Sequence, residues 1–133
     1  MAIGSFGNKI VFETNDGKIL TPKDISRTTT GKWGNLDRFN KKARSVFLGP
    51  ELQTVSFTIT LDAMLGVRPR AMIDQLIRIV ETGQVEYLTI GGQPLSANPW
   101  KITSVSDAWG IVLSHGELLR ASVDVSLEEY LVK

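Results

Sequence analysis

The chain contains one histidine, His115, and it directly follows Ser114, so a hydroxyl nucleophile and a general base adjoin at this point of the sequence. Adjacency does not aim a hydroxyl at an imidazole, and a nucleophilic set also needs an acid that orients the base. His115, next to Gly116, therefore reads as a solvated loop residue. The absence of cysteine removes thiolate nucleophiles, disulfides and sulfur-ligated zinc together. An oxygen-only metal loop would show closely spaced aspartates, and no Asp-x-Asp-x-Asp run occurs. Glu128 and Glu129 are adjacent carboxylates, but consecutive strand residues project to opposite faces, so the two cannot flank one substrate. They read as a solvated strand end. Gly4-x-x-Gly7 and Gly91-Gly92 do not stand between a strand and a helix as a phosphate cradle requires, and both read as turns. These residues lead to the expectation of a non-enzyme with no catalytic residue, no cofactor and no metal.

A different chemistry is concentrated between Thr21 and Leu48. Seven basic residues face two acidic ones there, a net of +5 in a chain whose total is +1. Within it, Arg38-Phe39-Asn40-Lys41-Lys42-Ala43-Arg44 combines positive charge with an aromatic ring. That pairing suits three roles: a solvated arm, a contact with an acidic protein surface, or a nucleic-acid face. The candidate interface residues are Trp33, Arg38, Phe39, Lys41, Lys42 and Arg44. Trp33, Trp100 and Trp109 all lie outside the strongest apolar patterns, where tryptophan is either partial core or an interface anchor.

The elements that must carry these residues are legible to different degrees. Thr54 to Leu61 alternates Val55, Phe57, Ile59 and Leu61 with hydroxyl residues at period two, and Leu119 to Leu127 does the same with Leu119, Ala121, Val123, Val125 and Leu127. The two predict strands that share a sheet or face each other. Between them, Pro69 suits the first position of a helix and Gly83 its C-terminal cap, and Ile73, Leu76, Ile77 and Val80 form a stripe that Met72 and Ile79 widen. A helix over about 69–82 must lay that stripe on a sheet. Further strands are predicted at Lys9 to Glu13, before an Asn15-Asp16-Gly17 turn, at Val85 to Ile90, and at Trp100 to Val105. Ser26 to Trp33 reads as extended, and Asn35 to Ser45 has little periodicity. The class is α+β, a mostly antiparallel β-sandwich or split barrel with one packed helix.

A length of 133 residues, 42% of them hydrophobic and 22% charged, suits one domain spanning 1–133. No apolar run approaches the roughly 18 to 20 residues of a membrane span, and the first residues lack the basic start of an export signal, so synthesis and retention in a cytoplasm are expected.

The ordered series Gly4-Ser-Phe-Gly, Val11-Phe12, Trp33 followed by Arg38, Phe47-Leu-Gly-Pro-Glu-Leu52 and Val55 to Leu61 running into Asp62-Ala-x-Leu-Gly-Val-x-Pro-Arg70 is specific as a set. It continues through Ile90-Gly-Gly-x-Pro-Leu95, Trp100-x-Ile-Thr-Ser-Val-Ser-Asp-Ala-Trp109 and Ala121-x-Val-Asp-Val-Ser-Leu-Glu-Glu-Tyr130. Over nearly the whole chain it resembles the tail protein U (GpU) family of contractile-tailed phages, with relatives in phage-derived tail-like bacteriocins. The resemblance implies a tail-tube type of fold and a structural protein of the virion tail, made in the bacterial host cytoplasm. It implies a homo-oligomer, a hexameric ring, that joins the baseplate hub to the tail tube and supports tail assembly, with baseplate hub and tail-tube proteins as partners. A terminator ring capping the tube is the alternative, and a nucleic-acid-binding module a more distant one. No membrane and no specific nucleic acid are expected as partners. The segment 21–48 would be the extended arm or loop that reaches a neighbouring subunit.

Overall fold

The computed structural model describes residues 2–7, 10–14, 19–20, 22–113, 116 and 118–131. In chain order its strands are β1 (Ala2–Phe6), β2 (Ile10–Thr14), β3 (Ile19–Leu20), β4 (Pro22–Thr28), β5 (Gly31–Arg38), β6 (Lys41–Pro50), β7 (Thr54–Asp62), β8 (Val85–Glu86), β9 (Leu88–Ile90), β10 (Gln93–Pro94), β11 (Trp100–Val112) and β12 (Leu118–Glu129). A 3-10 turn at Ala63–Leu65 and helix α1 (Pro69–Thr82) lie between β7 and β8. His115 and the Asn15 to Gly17 turn lie outside the described residues.

The central sheet has the order β4-β7-β12-β11-β8 and the second sheet the order β10-β9-β1-β2-β3, with antiparallel pairing throughout. The two alternating segments, β7 and β12, are hydrogen-bonded neighbours, and their register brings like beside like: Val55 with Leu127, Phe57 with Val125, Ile59 with Val123, Leu61 with Ala121. All eight are buried, which forces the intervening Ser and Thr residues onto the opposite face. Phe12 of the second sheet meets Phe57 of the central sheet edge-to-face, with centroids 5.7 Å apart, so the two sheets share one core. The chain passes between these two sheets across a single residue at two places, between β3 and β4 and at Tyr87, between β8 and β9. The predicted single strand from Val85 to Ile90 is thus two short strands in two sheets. The outcome is the expected α+β fold, mostly antiparallel, with a curled sheet and one packed helix.

Helix α1 begins with Pro69 and ends at Gly83, whose φ of 68° is the left-handed cap conformation that glycine adopts without a Cβ clash. Its buried residues are Pro69, Ile73, Leu76 and Ile79, while Ile77 is exposed. At about 100° per residue, Ile79 lies about 60° to one side of Leu76 and Ile77 about 100° to the other. The stripe facing the sheet is therefore centred on Leu76, and Ile77 falls off its edge, contrary to expectation.

Two glycine readings divide. Gly91 and Gly92, both at positive φ, form the turn between β9 and β10 as expected. Gly4 is not a turn residue: it lies inside β1, where an added Cβ would strike the carbonyl oxygen of Thr89.

Candidate assembly interface

The segment 21–48 divides in the structure. Pro22–Thr28 is the edge strand β4, paired with β7, and the chain then leaves the sheet to form the two-stranded hairpin β5–β6 over Gly31–Pro50. No apolar stripe marked this hairpin because its two faces carry apolar residues at different places. Register pairs Trp33 with Phe47 on one face, their rings 5.0 Å apart at 61°, and Gly34 with Val46 on the other, where Leu48 lies against Gly34. Period-two alternation fails when both faces are apolar and register shifts interrupt the strands between Lys32 and Trp33 and between Leu36 and Arg38.

The tip is built by Phe39 and Asn40. Asn40 takes a φ of 57°, a left-handed conformation its short polar side chain tolerates, and the Arg38 guanidinium donates two hydrogen bonds, 3.1 and 3.2 Å, to the Lys42 carbonyl across the turn. This tight closure leaves Phe39 95% exposed, the most exposed large apolar side chain among the described residues. Trp33, Leu36, Phe47 and Leu48 are each more than half exposed. The six candidate residues Trp33, Arg38, Phe39, Lys41, Lys42 and Arg44 are thus all on this hairpin and all exposed, with Phe39, Lys41 and Lys42 at its tip and Trp33 nearer its root.

The root is held by a polar cluster that sequence reasoning read wrongly. Glu129 is not a solvated strand end: it is buried. Its carboxylate accepts the Gln53 backbone N–H at 2.9 Å, the Ser96 hydroxyl at 2.7 Å and the Asn98 amide at 3.0 Å. The Gln53 backbone bond first, then the Ser96 and Asn98 bonds, hold the Glu129 carboxyl below its ordinary pKa, against the opposing effect of burial. Its own N–H donates to the Gln53 carbonyl at 2.9 Å, and Glu51 N–H donates to Thr30 at 3.0 Å. The C-terminal end of the central sheet, the residues following the hairpin and the segment before β11 are thereby tied at one point. The only sequence signal was positional: Glu129 continues the inward phase of Val123, Val125 and Leu127.

The three tryptophans separate. Trp100 is fully buried core, Trp109 is half exposed with its indole N–H donating to Asp107 at 2.7 Å and Arg70 stacked 5.0 Å above its ring, and Trp33 is mostly exposed. The polar face of the central sheet carries a shallow groove of about 350 Å³ lined by Ser26, Thr28, Thr54, Ser56, Thr103 and Ser126, among others. Glu128 also lines it, with its carboxylate paired to the Lys101 ammonium at 3.1 Å. No group of three or more His, Asp or Glu gathers there to hold a metal, and no helix is long and apolar enough to cross a membrane, again among the described residues.

Compared with known proteins, residues 8–131 match the family model described as Phage P2 GpU. No curated protein matches the chain.

Proposed function

This chain belongs to the Phage P2 GpU family, a structural family of phage tails, and from that premise we propose that it forms a ring joining the baseplate hub to the tail tube. As a family member it is a component of the virion tail and assembles with other tail proteins. The finer reading is a hexameric ring in a contractile tail that starts or adapts tube growth. Its mechanism is geometric: one domain with a closed core presents an arm, and the arm fixes the position of the next subunit.

The observation that carries this reading is the β5–β6 hairpin. A two-stranded ribbon is marginal alone in water, yet this one exposes Trp33, Leu36, Phe39, Phe47 and Leu48 together with five basic residues against a single acidic one. Aromatic anchors amid arginine and lysine are the composition of an interface centre with a steering rim. The arm on this reading spans Gly31–Pro50. Removing residues 35–43 is expected to leave a folded subunit, with an unchanged unfolding transition of the core, that no longer enters tails. Normal incorporation of the deleted chain into particles would refute the arm reading.

A further inference from the structure

The central sheet ends in β4 on one side and in the two-residue β8 on the other, and β8 covers so little of β11 that β4 and β11 form most of its two edges, which are not equally protected. β4 carries Pro22 and Lys23, a register shift between Lys23 and Ser26, and Asp24 at a φ of 55°, and its Arg27 guanidinium donates to the Leu95 carbonyl at 2.9 Å. Proline, lysine and local irregularity are what natural sheets use to prevent further strands from adding. β11 has none of these over its middle. Its outer side pairs with β8 only at Trp100 and Lys101. From Ser104 to Trp109 its ladder to β12 is regular, and no proline, lysine or arginine occurs between Ile102 and Leu113. Thr103 to Leu113 are exposed apart from half-buried Val105. From Ser104 to Trp109 the edge is thus regular, and the backbone groups that point away from β12 have no partner strand among the described residues.

We propose that this edge of β11 accepts the β6 strand of a second copy of the chain, extending the central sheet across the subunit boundary. The inference rests on the reading of the hairpin as an assembly arm and names where that arm lands. Two features select β6. In β6, Lys41 to Leu48 is an eight-residue stretch without glycine or proline, whereas β5 is interrupted by Gly34. Charge also matches. The acceptor run holds Asp107, and Asp124 stands beside Ser106 on the polar face, while β6 brings Lys41, Lys42 and Arg44 and no acid. Pairing two β11 edges would instead bring their Asp107 carboxylates together, and pairing two basic β6 strands is opposed in the same way. Each edge thus discourages its own kind and accepts the other. A strand of one copy on an edge of the next is a head-to-tail contact, which closes into a ring when its rotation permits.

Since the chain has no cysteine, introduced pairs report the contact directly. Neighbouring antiparallel strands place facing Cα atoms about 4.5 to 5.5 Å apart, within disulfide range. Ser104→Cys, Ser106→Cys or Ala108→Cys would each be combined with Ala43→Cys, Ser45→Cys or Val46→Cys in the full chain. Tail particles would then be oxidised mildly and run on non-reducing gels. Intersubunit disulfides in a subset of the double variants, and in none of the single ones, are expected. Cross-linking of single β11 variants would mean that two β11 edges pair and would overturn the proposal. So would particles that assemble normally with no cross-link in any combination, although the arm reading would still stand if removal of 35–43 blocks assembly. Should the cysteine variants fail to enter particles, Ser106→Lys supplies the check: it keeps a folded subunit and is expected to lower incorporation roughly tenfold, equivalent to about 1.4 kcal/mol. Unchanged incorporation of Ser106→Lys would also overturn the proposal.

Discussion

Glu129→Gln tests whether the root of the hairpin is held by a charge. In the native cluster both carboxylate oxygens are used: one accepts Gln53 N–H, and the other accepts Ser96 and Asn98. A glutamine of the same shape keeps one oxygen and substitutes an amide donor for the other, so at least one of the three donors must face a donor. Loss of a hydrogen bond to a charged group in a buried setting costs about 1.5 to 3 kcal/mol. At roughly 4 °C per kcal/mol for a domain of this size, that is a fall in Tm of about 6 to 12 °C near neutral pH. The effect has a pH signature. Because the folded-state pKa of Glu129 is depressed, its contribution is complete above the unfolded value of 4.5 and is lost as pH falls through the lower, folded value. The stability gap between native chain and Glu129→Gln should therefore be constant from about pH 7 to pH 5 and shrink below the ordinary carboxylate range. Urea unfolding of both chains across this range measures the gap. A gap below about 0.5 kcal/mol at pH 7, or one that does not narrow in acid, would refute the cluster as a charge-held tie.

Two further substitutions probe the frame. Leu76→Ala, which empties the centre of the helix stripe, should cost about 2 to 5 kcal/mol in denaturant unfolding, whereas the same change at exposed Ile77 should cost under about 1 kcal/mol; equal costs would return the stripe to its sequence-predicted position. Gly4→Ala drives a methyl group into the Thr89 carbonyl between β1 and β9 and should destabilise by about 1 to 3 kcal/mol in thermal unfolding, with no loss expected if β1 can shift away.

What could be read in the sequence was what repeats at a fixed period or ends on a fixed signal. β7 and β12 each bury one face, so period two survives in Val55 to Leu61 and Leu119 to Leu127, and α1 is bounded by Pro69 and Gly83 as its ends require. The helix face was displaced because Ile77 is apolar without being buried, a substitution that pattern counting cannot detect. β11 extends to Val112, seven residues past its predicted end, because its outer half is exposed and its Ser, Asp, Ala and Trp residues follow no alternation. The Glu129 cluster joins residues 53, 96, 98 and 129, a convergence created by tertiary contact alone. Within the candidate interface the charge excess was visible from composition, but the hairpin was not, since an element exposed on both faces has no core to impose a period.

That last failure bears on function. Local rules are satisfied where a segment's partners lie within its own chain, and they break where the partners lie elsewhere. The β5–β6 ribbon has Trp33 and Phe47 on one face and Leu36, Val46 and Leu48 in its other rows, with basic residues along β6 and at the tip. Left in water it carries more apolar area than a lone hairpin needs and receives little burial in return. β11 shows the complementary defect, a strand whose backbone groups on one side have no partner after Lys101 among the described residues. Among the described residues the ribbon thus lacks cover and the edge lacks a strand. On the proposed reading the same contact completes both: the ribbon gains backbone pairing and burial, the edge loses its exposed hydrogen-bonding groups, and neither gain requires the core to rearrange. Subunit addition then selects a correctly placed neighbour through hydrogen-bond register, which a diffuse charged patch could not define. For a tail component, that register is what converts attraction between copies into a defined angle between them.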